Sequence, residues 1–245
     1  MRHLNNIKRI FYRFVIIITI KKEPDLEKFI SEVSNIVKKG NLIILFFDKT
    51  LNKETFSLAN KIAKKNKNIF IKYDRTVKNL ADAYFKAYRF SSSINCKWVI
   101  SMNAGWRHNP EDLKKFLKFY NSNYFCIWGY RDILSNKANI TRKLISYLGN
   151  LLSHFLLSIN MRDLTSGFYM IKKDILKKFF LKNKSFISKG HFIDTELKFY
   201  LKNYKFSQVK IQYTSPNKKL PFKNILDSLK SLLILFFKKL VSNIK

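Results

Sequence analysis

The chain contains few cysteines, the residues that bind metal ions through a thiolate. It contains two cysteines, Cys96 and Cys126, which lie in or beside predicted strands and lack the paired spacing of a metal site. A buried cysteine in a reducing compartment behaves as a small apolar side chain, and we interpret both in this way. A cysteine-based metal centre is therefore excluded.

Long apolar runs are also missing. The apolar stretch from Phe14 to Ile20 is too short for a membrane-spanning helix, and no small-residue cleavage site follows it. We interpret it as the first strand. Since no internal repeat or long linker is visible, the 245 residues and 47% hydrophobic content predict one large α/β domain, residues 1–220, followed by a tail at 221–245.

Acidic residues are scarce: 16 Asp and Glu face 48 Lys and Arg, for a net charge of +32. Such a surface attracts polyanions, which include nucleic acid, anionic lipid and phosphorylated substrates. No helix-turn-helix, zinc-finger or RNA-binding signature accompanies the charge, so we expect no specific nucleic-acid partner.

Apolar runs that alternate with amphipathic segments dominate what is present. Strands that are apolar on both faces and alternate with helices predict a mostly parallel sheet flanked by helices. The predicted strands are Phe14–Ile20, Leu42–Phe47, Ile69–Tyr73, Trp98–Met102, Tyr124–Gly129, Thr165–Ile171 and Phe206–Tyr213. The predicted helices are Pro24–Lys39, Lys53–Lys65, Val77–Phe90, Pro110–Tyr120, Asn139–Asn160, Lys173–Phe180, Phe192–Leu201 and Phe222–Val241.

The fourth predicted strand leads into a small polar turn, Asn103-Ala104-Gly105, and a helix then begins after Asn109. Asn109 is a favourable N-cap, and Pro110 suits the first helical position. In an open α/β sheet the loop that leaves the carboxyl end of a central strand is where ligands bind. We therefore expect the functional site here.

Four motifs follow in order: His108-Asn109-Pro110-Glu111, Gly129-x-Arg131, Arg142-x3-Ser146-x3-Asn150 and Asp163-x-Thr165-Ser166-Gly167-Phe168. Their order resembles that of the family 2 glycosyltransferases, most closely the dolichol- or polyprenyl-phosphate mannose or glucose synthases. The resemblance covers roughly residues 14–220, and the last motif is its most specific part.

The resemblance implies a GT-A type, Rossmann-like fold, a GDP- or UDP-hexose donor, a lipid-linked phosphate acceptor and a Mg²⁺ or Mn²⁺ ion. It also implies nucleotide-sugar contacts for Asp48, Asn103, Gly105, Ser166 and Gly167. Asp163 is expected on the acceptor side, where its carboxylate would orient the incoming nucleophile; the alternative is a cap or turn residue. We interpret His108 as a loop-fixing residue, and leave Glu196 as either a surface or a supporting residue.

The chain departs from the family where metal ligands are expected. The family's Asp-Asp-Gly-Ser stands here as Phe47-Asp48-Lys49-Thr50, and its Asp-x-Asp as Asn103-Ala104-Gly105. Its opening Pro-Thr-Tyr-Asn-Glu is not recognisable around Ile18-Thr19-Ile20-Lys21-Lys22. A hard divalent cation prefers charged oxygen ligands, and most of them are absent.

Arginine offers another way to neutralise the diphosphate leaving group, since a guanidinium holds two phosphate oxygens without any ion. We therefore expect a metal-independent site in which Arg107, Arg131 and Arg142 supply the positive charge. The alternative is a degenerate homologue that no longer transfers sugar and acts as a binding or partner protein.

Two segments predict contact with a membrane. Leu144–Ile159 is rich in leucine, and Phe222–Val241 forms an amphipathic helix. Basic residues at an anionic surface contribute about 1 kcal/mol each at best. We expect a peripheral protein on the cytoplasmic face of a membrane; the alternative is a terminal helix folded back on the domain. The basic residues around the tail helix are Lys218, Lys219, Lys223, Lys238, Lys239 and Lys245.

Overall fold

The computed structural model describes residues 7–38, 40–133, 140–214 and 221–243, without the side chains of residues 142, 242 and 243. In these ranges the strands are β1 (Tyr12–Ile20), β2 (Leu42–Asp48), β3 (Ile69–Asp74), β4 (Cys96–Asn103), β5 (Cys126–Tyr130), β6 (Tyr169–Lys172) and β7 (Phe206–Lys210). The helices are α1 (Leu26–Val37), α2 (Lys53–Lys65), α3 (Leu80–Ser92), α4 (Leu113–Leu117, preceded by a 3₁₀ turn at Pro110–Asp112), α5 (Ile140–Leu157), α6 (Lys173–Lys182), α7 (Ile193–Leu201) and α8 (Phe222–Asn243).

The strands form one sheet in the order β3-β2-β1-β4-β6-β5-β7. Neighbours pair in parallel except β6, which runs antiparallel to both β4 and β5. The predicted mostly parallel sheet is confirmed. Because β1 to β4 are parallel, their carboxyl ends lie at one edge, where Thr19 pairs with Asn103 and Asp48 with Asp74.

Asparagine caps begin the elements that follow three of these strands. The Oδ1 atoms of Asn52, Asn79 and Asn109 each accept a hydrogen bond from a backbone N–H two or three residues on. Such caps satisfy N–H groups that have no partner within the helix. The N-cap predicted at Asn109 is therefore present, and it fixes where the loop after β4 ends.

The helix predicted over Pro110–Tyr120 is shorter in the structure. After α4 ends at Leu117, the N–H groups of Phe119 and Tyr120 bond to carbonyls three residues back. This tighter 3₁₀ geometry is typical of a helix terminus and does not continue as an α-helix.

The strand predicted over Thr165–Ile171 begins only at Tyr169. The reason is a buried lysine: Lys198 Nζ donates to the carbonyls of Leu164 (3.0 Å) and Ser166 (2.8 Å). These carbonyls are bound by a side chain, so residues 164–168 form a loop beside the sheet.

Helix α8 packs back against the domain through buried Leu232 and Leu235. Asp227 accepts hydrogen bonds from Ser188 Oγ (2.8 Å) and from the N–H groups of Lys189 and Gly190 (3.1 and 3.0 Å). None of the helices in the described ranges is long and apolar enough to cross a membrane. The domain boundary at residue 220 stays a prediction.

Candidate functional site

The loop after β4 is held by His108. Its Nδ1 accepts a hydrogen bond from the Asn103 N–H (2.9 Å), and its ring stacks on Phe168 with 4.8 Å between centroids. Burial, together with the charges of Arg131 and Arg107, lowers the pKa of His108 to about 3. The imidazole is therefore neutral near pH 7, with its proton on Nε2. It fixes the loop, in agreement with the interpretation of His108 from the sequence.

Within this loop, Gly105 lies against the side chain of Glu23. Gly105 has φ of +70°, a left-handed conformation that favours glycine. A Cβ atom placed on it would lie 2.9 Å from Glu23 Cδ and 3.0 Å from Glu23 Oε1. Glu23 follows β1, so loops from two neighbouring strands meet here, and the carboxylate of one fills the space next to the backbone of the other.

Two further side chains line this loop. Asn103 Oδ1 accepts a hydrogen bond from the Tyr84 hydroxyl (2.8 Å), while the side chain of Arg107 is exposed. Burial raises the pKa of the Glu23 carboxyl, and the charge of Arg107 lowers it. The Glu23 carboxylate therefore lies against Gly105, in the loop that also carries Asn103 and Arg107.

A buried ion pair forms the second half of the site. Asp163 Oδ2 accepts from the Arg131 N–H (3.1 Å) and Nε (2.7 Å), and Asp163 Oδ1 accepts from Arg131 Nη2 (3.0 Å). The N–H and Oγ1 of Thr165 also donate to Oδ1, each at 3.0 Å. Despite burial, Arg131 holds the pKa of Asp163 well below its usual range. The carboxylate therefore stays charged and positions the residues around it.

Two side chains support the loop that carries Asp163. Asn150 of α5 donates from Nδ2 to the Arg162 carbonyl (3.1 Å) and accepts from the Leu164 N–H (2.8 Å). Lys198, described above, holds the same loop from α7. This lysine is fully buried, and burial lowers its pKa to about 8. The loop is therefore fixed from both sides.

Asp194, on the first turn of α7, lies beneath Gly167. A Cβ atom on Gly167 would lie 3.2 Å from Asp194 Oδ2, so the glycine makes room for this carboxylate. Asp194 Oδ1 is buried without a hydrogen-bond partner among the described residues. Burial raises the pKa of Asp194 to about 7, although the charges of Lys198 and Arg131 lower it. Unlike Asp163, this carboxyl can exchange a proton near neutral pH.

The structure brings the site residues predicted from the sequence into two groups. Asn103, Gly105 and Arg107 share the loop after β4. Asp163 and Arg131 form the buried ion pair, and Ser166 and Gly167 follow Asp163 in the same loop. His108 bonds to Asn103 and stacks on Phe168, the residue after Gly167. Asp48 lies at the end of β2, where its Oδ1 accepts from the N–H and Oγ1 of Thr50, both at 2.7 Å.

The two remaining predicted residues are Arg142 and Glu196. The Arg142 side chain lies outside the part of the chain that the structure describes. Glu196 is fully buried and accepts from the N–H groups of Ile187 and Ser188, so it is a supporting residue rather than a surface one.

The order of these elements and motifs can be compared with known proteins. The profile described as "Glycosyl transferase family 2" matches residues 14–180. The chain belongs to this family. The family and the enzyme class predicted from the motifs are therefore confirmed.

Two curated members of glycosyl transferase family 2 are similar to the chain at low identity. An undecaprenyl-phosphate mannosyltransferase of Micrococcus luteus is 24% identical over 158 residues, which cover 64% of each chain. A polyprenol monophosphomannose synthase of Mycolicibacterium smegmatis is 23% identical over 210 residues, 84% of this chain and 78% of the relative. The chain thus spans somewhat less than two thirds of the Micrococcus protein.

Solved structures confirm the GT-A type fold. Glucosyl-3-phosphoglycerate synthase from Mycobacterium tuberculosis, in complex with Mn²⁺, UDP and phosphoglyceric acid, superposes with a TM-score of 0.64 at 11% identity, over 92% of this chain and 78% of that one. A mannosyltransferase from Pyrobaculum calidifontis, in complex with GDP-Man and Mn²⁺, gives 0.58 at 12% identity, over 96% and 66%. At these identities the similarity concerns the fold.

The residues of this family member fit a divalent ion only in part. Among the described residues, no group of three or more His, Cys, Asp and Glu side chains could hold a metal. The loop after β4 offers one amide oxygen on Asn103, and the adjoining loop offers the Glu23 carboxylate. Mg²⁺ is often bound by one or two carboxylates with substrate phosphates and water, so this set fits an ion that is shared with a phosphorylated ligand.

Sequence reasoning missed three residues of the site: Glu23, Asp194 and Lys198. The family's opening motif, Pro-Thr-Tyr-Asn-Glu, aligns with Thr19-Ile20-Lys21-Lys22-Glu23. Only Glu23 matches it. Asp194 and Lys198 stand four apart on a helix whose other buried positions are mostly apolar, which places both on one face. Charged residues at that spacing on a buried face were the available signal.

Many exposed apolar side chains lie on α5 and α8. Lys239 of α8 donates to the Leu156 carbonyl (3.1 Å) and to Ser158 Oγ (2.7 Å), which joins the two helices. Their outward side chains are exposed and apolar. They are Ile140, Leu144, Tyr147, Leu148, Leu151, Leu152 and Phe155 on α5, and Phe222, Leu226, Leu229, Leu233, Phe237, Leu240 and Val241 on α8. We call this set the apolar surface.

Proposed function

We propose that this chain moves a hexose from GDP- or UDP-hexose to polyprenyl phosphate or another lipid-linked phosphate, at the cytoplasmic face of a membrane. The double role of α5 carries this proposal. Its outer face belongs to the apolar surface, where Phe155 is 82% exposed, while Asn150 on its inner face holds the loop of Asp163. In this proposal, a lipid that binds against the outer face of α5 would place its phosphate next to this loop.

On the donor side, we propose that Asp48, Asn103, Gly105, Ser166 and Gly167 contact the nucleotide sugar. Arg107 would compensate the charge that develops on the diphosphate as the bond to the sugar breaks. It is exposed and bears no ion pair within the described chain, so its guanidinium is available for a bidentate contact. This charge does not by itself require a metal ion.

On the acceptor side, we propose that the ion pair of Asp163 and Arg131 positions the incoming phosphate. Arg131 adds little net charge here, because Asp163 balances it. Asp194 is the better proton acceptor, with a pKa of about 7. It would take the proton of a singly ionised acceptor as the phosphate oxygen bonds to the sugar and the nucleoside diphosphate leaves. The role of Arg142 stays a prediction from the sequence.

The transfer is tested with radiolabelled GDP- and UDP-hexoses and polyprenyl phosphate in vesicles, by counting label in the organic phase. Arg107→Ala should lower kcat/KM roughly a hundredfold to a thousandfold, the typical loss of one preorganised charge or donor. Arg89→Ala is the control, since Arg89 is exposed in the last turn of α3, away from the carboxyl edge. Unchanged kcat/KM in Arg107→Ala would remove its proposed role. No transfer from any donor would favour a non-catalytic binding protein.

We further propose that the apolar surface binds an anionic membrane. Exposed Lys223, Lys230 and Lys238 flank it on α8; Lys218, Lys219 and Lys245 lie outside the described residues. Flotation with vesicles that contain anionic lipid tests this. Leu148→Glu should weaken binding, whereas Leu181→Glu, at an 85% exposed position on α6, should not. Equal flotation of both variants and wild type would contradict the proposal.

A further inference from the structure

We propose that the hydroxyl of Tyr169 positions the Asp194 carboxyl and stabilises its charged form. This hydroxyl is the first link of a buried chain of hydroxyls that continues to Tyr88 and Ser101. The inference rests on the proposed function, in which Asp194 takes the proton of the acceptor phosphate. It assigns a role in the reaction to side chains that lie within the domain, behind the carboxyl.

The chain of hydroxyls lies on one face of the sheet. Ser101 of β4 and Tyr169 of β6 are paired residues of neighbouring strands, so their side chains point to the same face. Tyr88 of α3 packs over this pair, with 5.9 Å between its ring centroid and that of Tyr169. The Tyr169 hydroxyl donates to the Tyr88 hydroxyl (2.5 Å), which lies 3.0 Å from Ser101 Oγ. The three hydroxyls are therefore joined by hydrogen bonds.

The first hydroxyl of the chain also reaches Asp194. Burial raises the pKa of the Asp194 carboxyl, and a hydrogen bond from Tyr169 acts in the opposite direction. Asp194 is partly exposed, whereas the three residues of the chain are at most 2% exposed. The carboxyl can therefore meet the acceptor on its open side, while the hydroxyls behind it are shielded from water.

The single proton of the Tyr169 hydroxyl links the chain to the charge of Asp194. A hydroxyl donates one hydrogen bond, so Tyr169 donates either to Tyr88 or to Asp194. When Asp194 is ionised, the proton turns to the carboxylate, and Tyr88 donates to Tyr169 in its place. The bond between Tyr88 and Ser101 permits this reversal, because either residue can be the donor. A hydrogen bond to the charged form of a carboxyl favours that form, so the chain keeps Asp194 able to accept a proton.

Other charged and titratable groups also face Asp194: Lys198 on α7, the ion pair of Asp163 and Arg131, and Tyr84 and Tyr88 on α3. The charges of Lys198 and Arg131 lower the pKa of Asp194, and that of Asp163 raises it. Burial raises the pKa of both tyrosines, which are therefore neutral at pH 7. Lys198, with a pKa of about 8, titrates close to Asp194. The test must therefore observe the Asp194 carboxyl directly.

The test follows this carboxyl by nuclear magnetic resonance, as a function of pH, in the full chain labelled with ¹³C at the aspartate carboxyls. Asp194→Asn identifies the resonance by its absence, and in wild type it should titrate near pH 7. Tyr169→Phe should move the titration upward by about one to two pH units, the loss of a hydrogen bond to a charged group. Tyr88→Phe keeps Tyr169 and should give a smaller shift in the same direction. Tyr204→Phe is the matched control, since Tyr204 packs on Phe125 at the amino end of β5.

Three results would overturn the proposal. They are an unchanged Asp194 titration in Tyr169→Phe, an unchanged one in Tyr88→Phe, and an equal shift in Tyr204→Phe. If circular dichroism shows that Tyr169→Phe does not fold, Tyr88→Phe decides. The proposed function is judged separately, by sugar transfer. Transfer whose pH–rate inflexion stays in place in Tyr169→Phe would refute the role of Tyr169 and leave the transferase intact. Shifted titrations without transfer from any donor would support the action of Tyr169 on Asp194 and refute the proposed function.

Discussion

Replacing Asp163 by asparagine should destabilise the protein strongly. The change removes the negative partner of Arg131, whose side chain is only 14% exposed. It also replaces one acceptor oxygen of the carboxylate by an amide NH2 group, which faces donors that it cannot accept from. Leaving a buried charge without its partner costs about 3–5 kcal/mol. Because Asp163 is itself 1% exposed, water cannot replace the lost contacts without opening the loop. We expect the free energy of unfolding to fall by about 3–5 kcal/mol.

Urea unfolding at pH 7, followed by circular dichroism, measures this loss. The double variant Arg131→Met/Asp163→Leu should recover much of it, since neither charge is then left alone. A loss below about 1 kcal/mol for Asp163→Asn, or a double variant no more stable than the single one, would refute the argument that the pair is a structural unit.

The same pair gives a pH dependence of known sign. The pKa of Asp163 is lowered in the folded protein, so its contribution to stability is present above the unfolded value of about 4 and is lost as the pH falls below it. The stability of wild type should therefore decrease in acid more steeply than that of Asp163→Asn. Parallel curves would contradict the lowered pKa.

Further predictions concern Asp194, Lys198 and Gly129, with Gly149 as a contrasting glycine. Because the pKa of Asp194 is about 7, transfer should rise with pH, reach half its maximum near pH 7 and level off above it, and Asp194→Asn should remove this inflexion from the pH–rate profile. Lys198→Met should cost about 1–3 kcal/mol in urea unfolding for each loop carbonyl that it leaves without a partner. Gly129→Ala should cost about 1–3 kcal/mol, since its Cβ would lie 2.6 Å from the carbonyl oxygen of Phe168. Gly149→Ala, with no atom within 4 Å of the added Cβ, should instead stabilise α5 slightly in the same assay.

The strands could be predicted from the sequence because their cause is local. A parallel strand buried on both faces is a continuous apolar run, as in β1 and β2, and it ends where charged residues begin, at Lys21 after β1 and at Asp48 in β2. The strand with which a short strand pairs is decided by residues that are distant in the sequence. The antiparallel insertion of β6 between β4 and β5 depends on contacts that no periodicity encodes.

The residues of the site also divide into those with a local signal in the sequence and those without one. Asn103 and Gly105 could be located because they follow a central strand directly. The contact of Glu23 with Gly105 joins two loops far apart in the chain, and it exists only because β1 and β4 are neighbours in the sheet. Because the residues up to Lys22 do not match the family's opening motif, Glu23 had no recognisable context in the sequence. Lys198 was not predicted, because the sequence alone does not distinguish a buried lysine from the many surface lysines of this chain.

The hydrogen bonds of Asp227 have a consequence for the tail helix. They hold the turn at residues 188–190, and Glu196 of α7 binds the amides of Ile187 and Ser188 in the same turn. Helix α8, this turn and α7 therefore form one hydrogen-bonded unit, and α7 carries Asp194. Composition separates the tail from the domain at residue 220, but truncation there would leave the amide of Lys189 without its acceptor. The tail helix is thus part of the scaffold that places the Asp194 carboxyl.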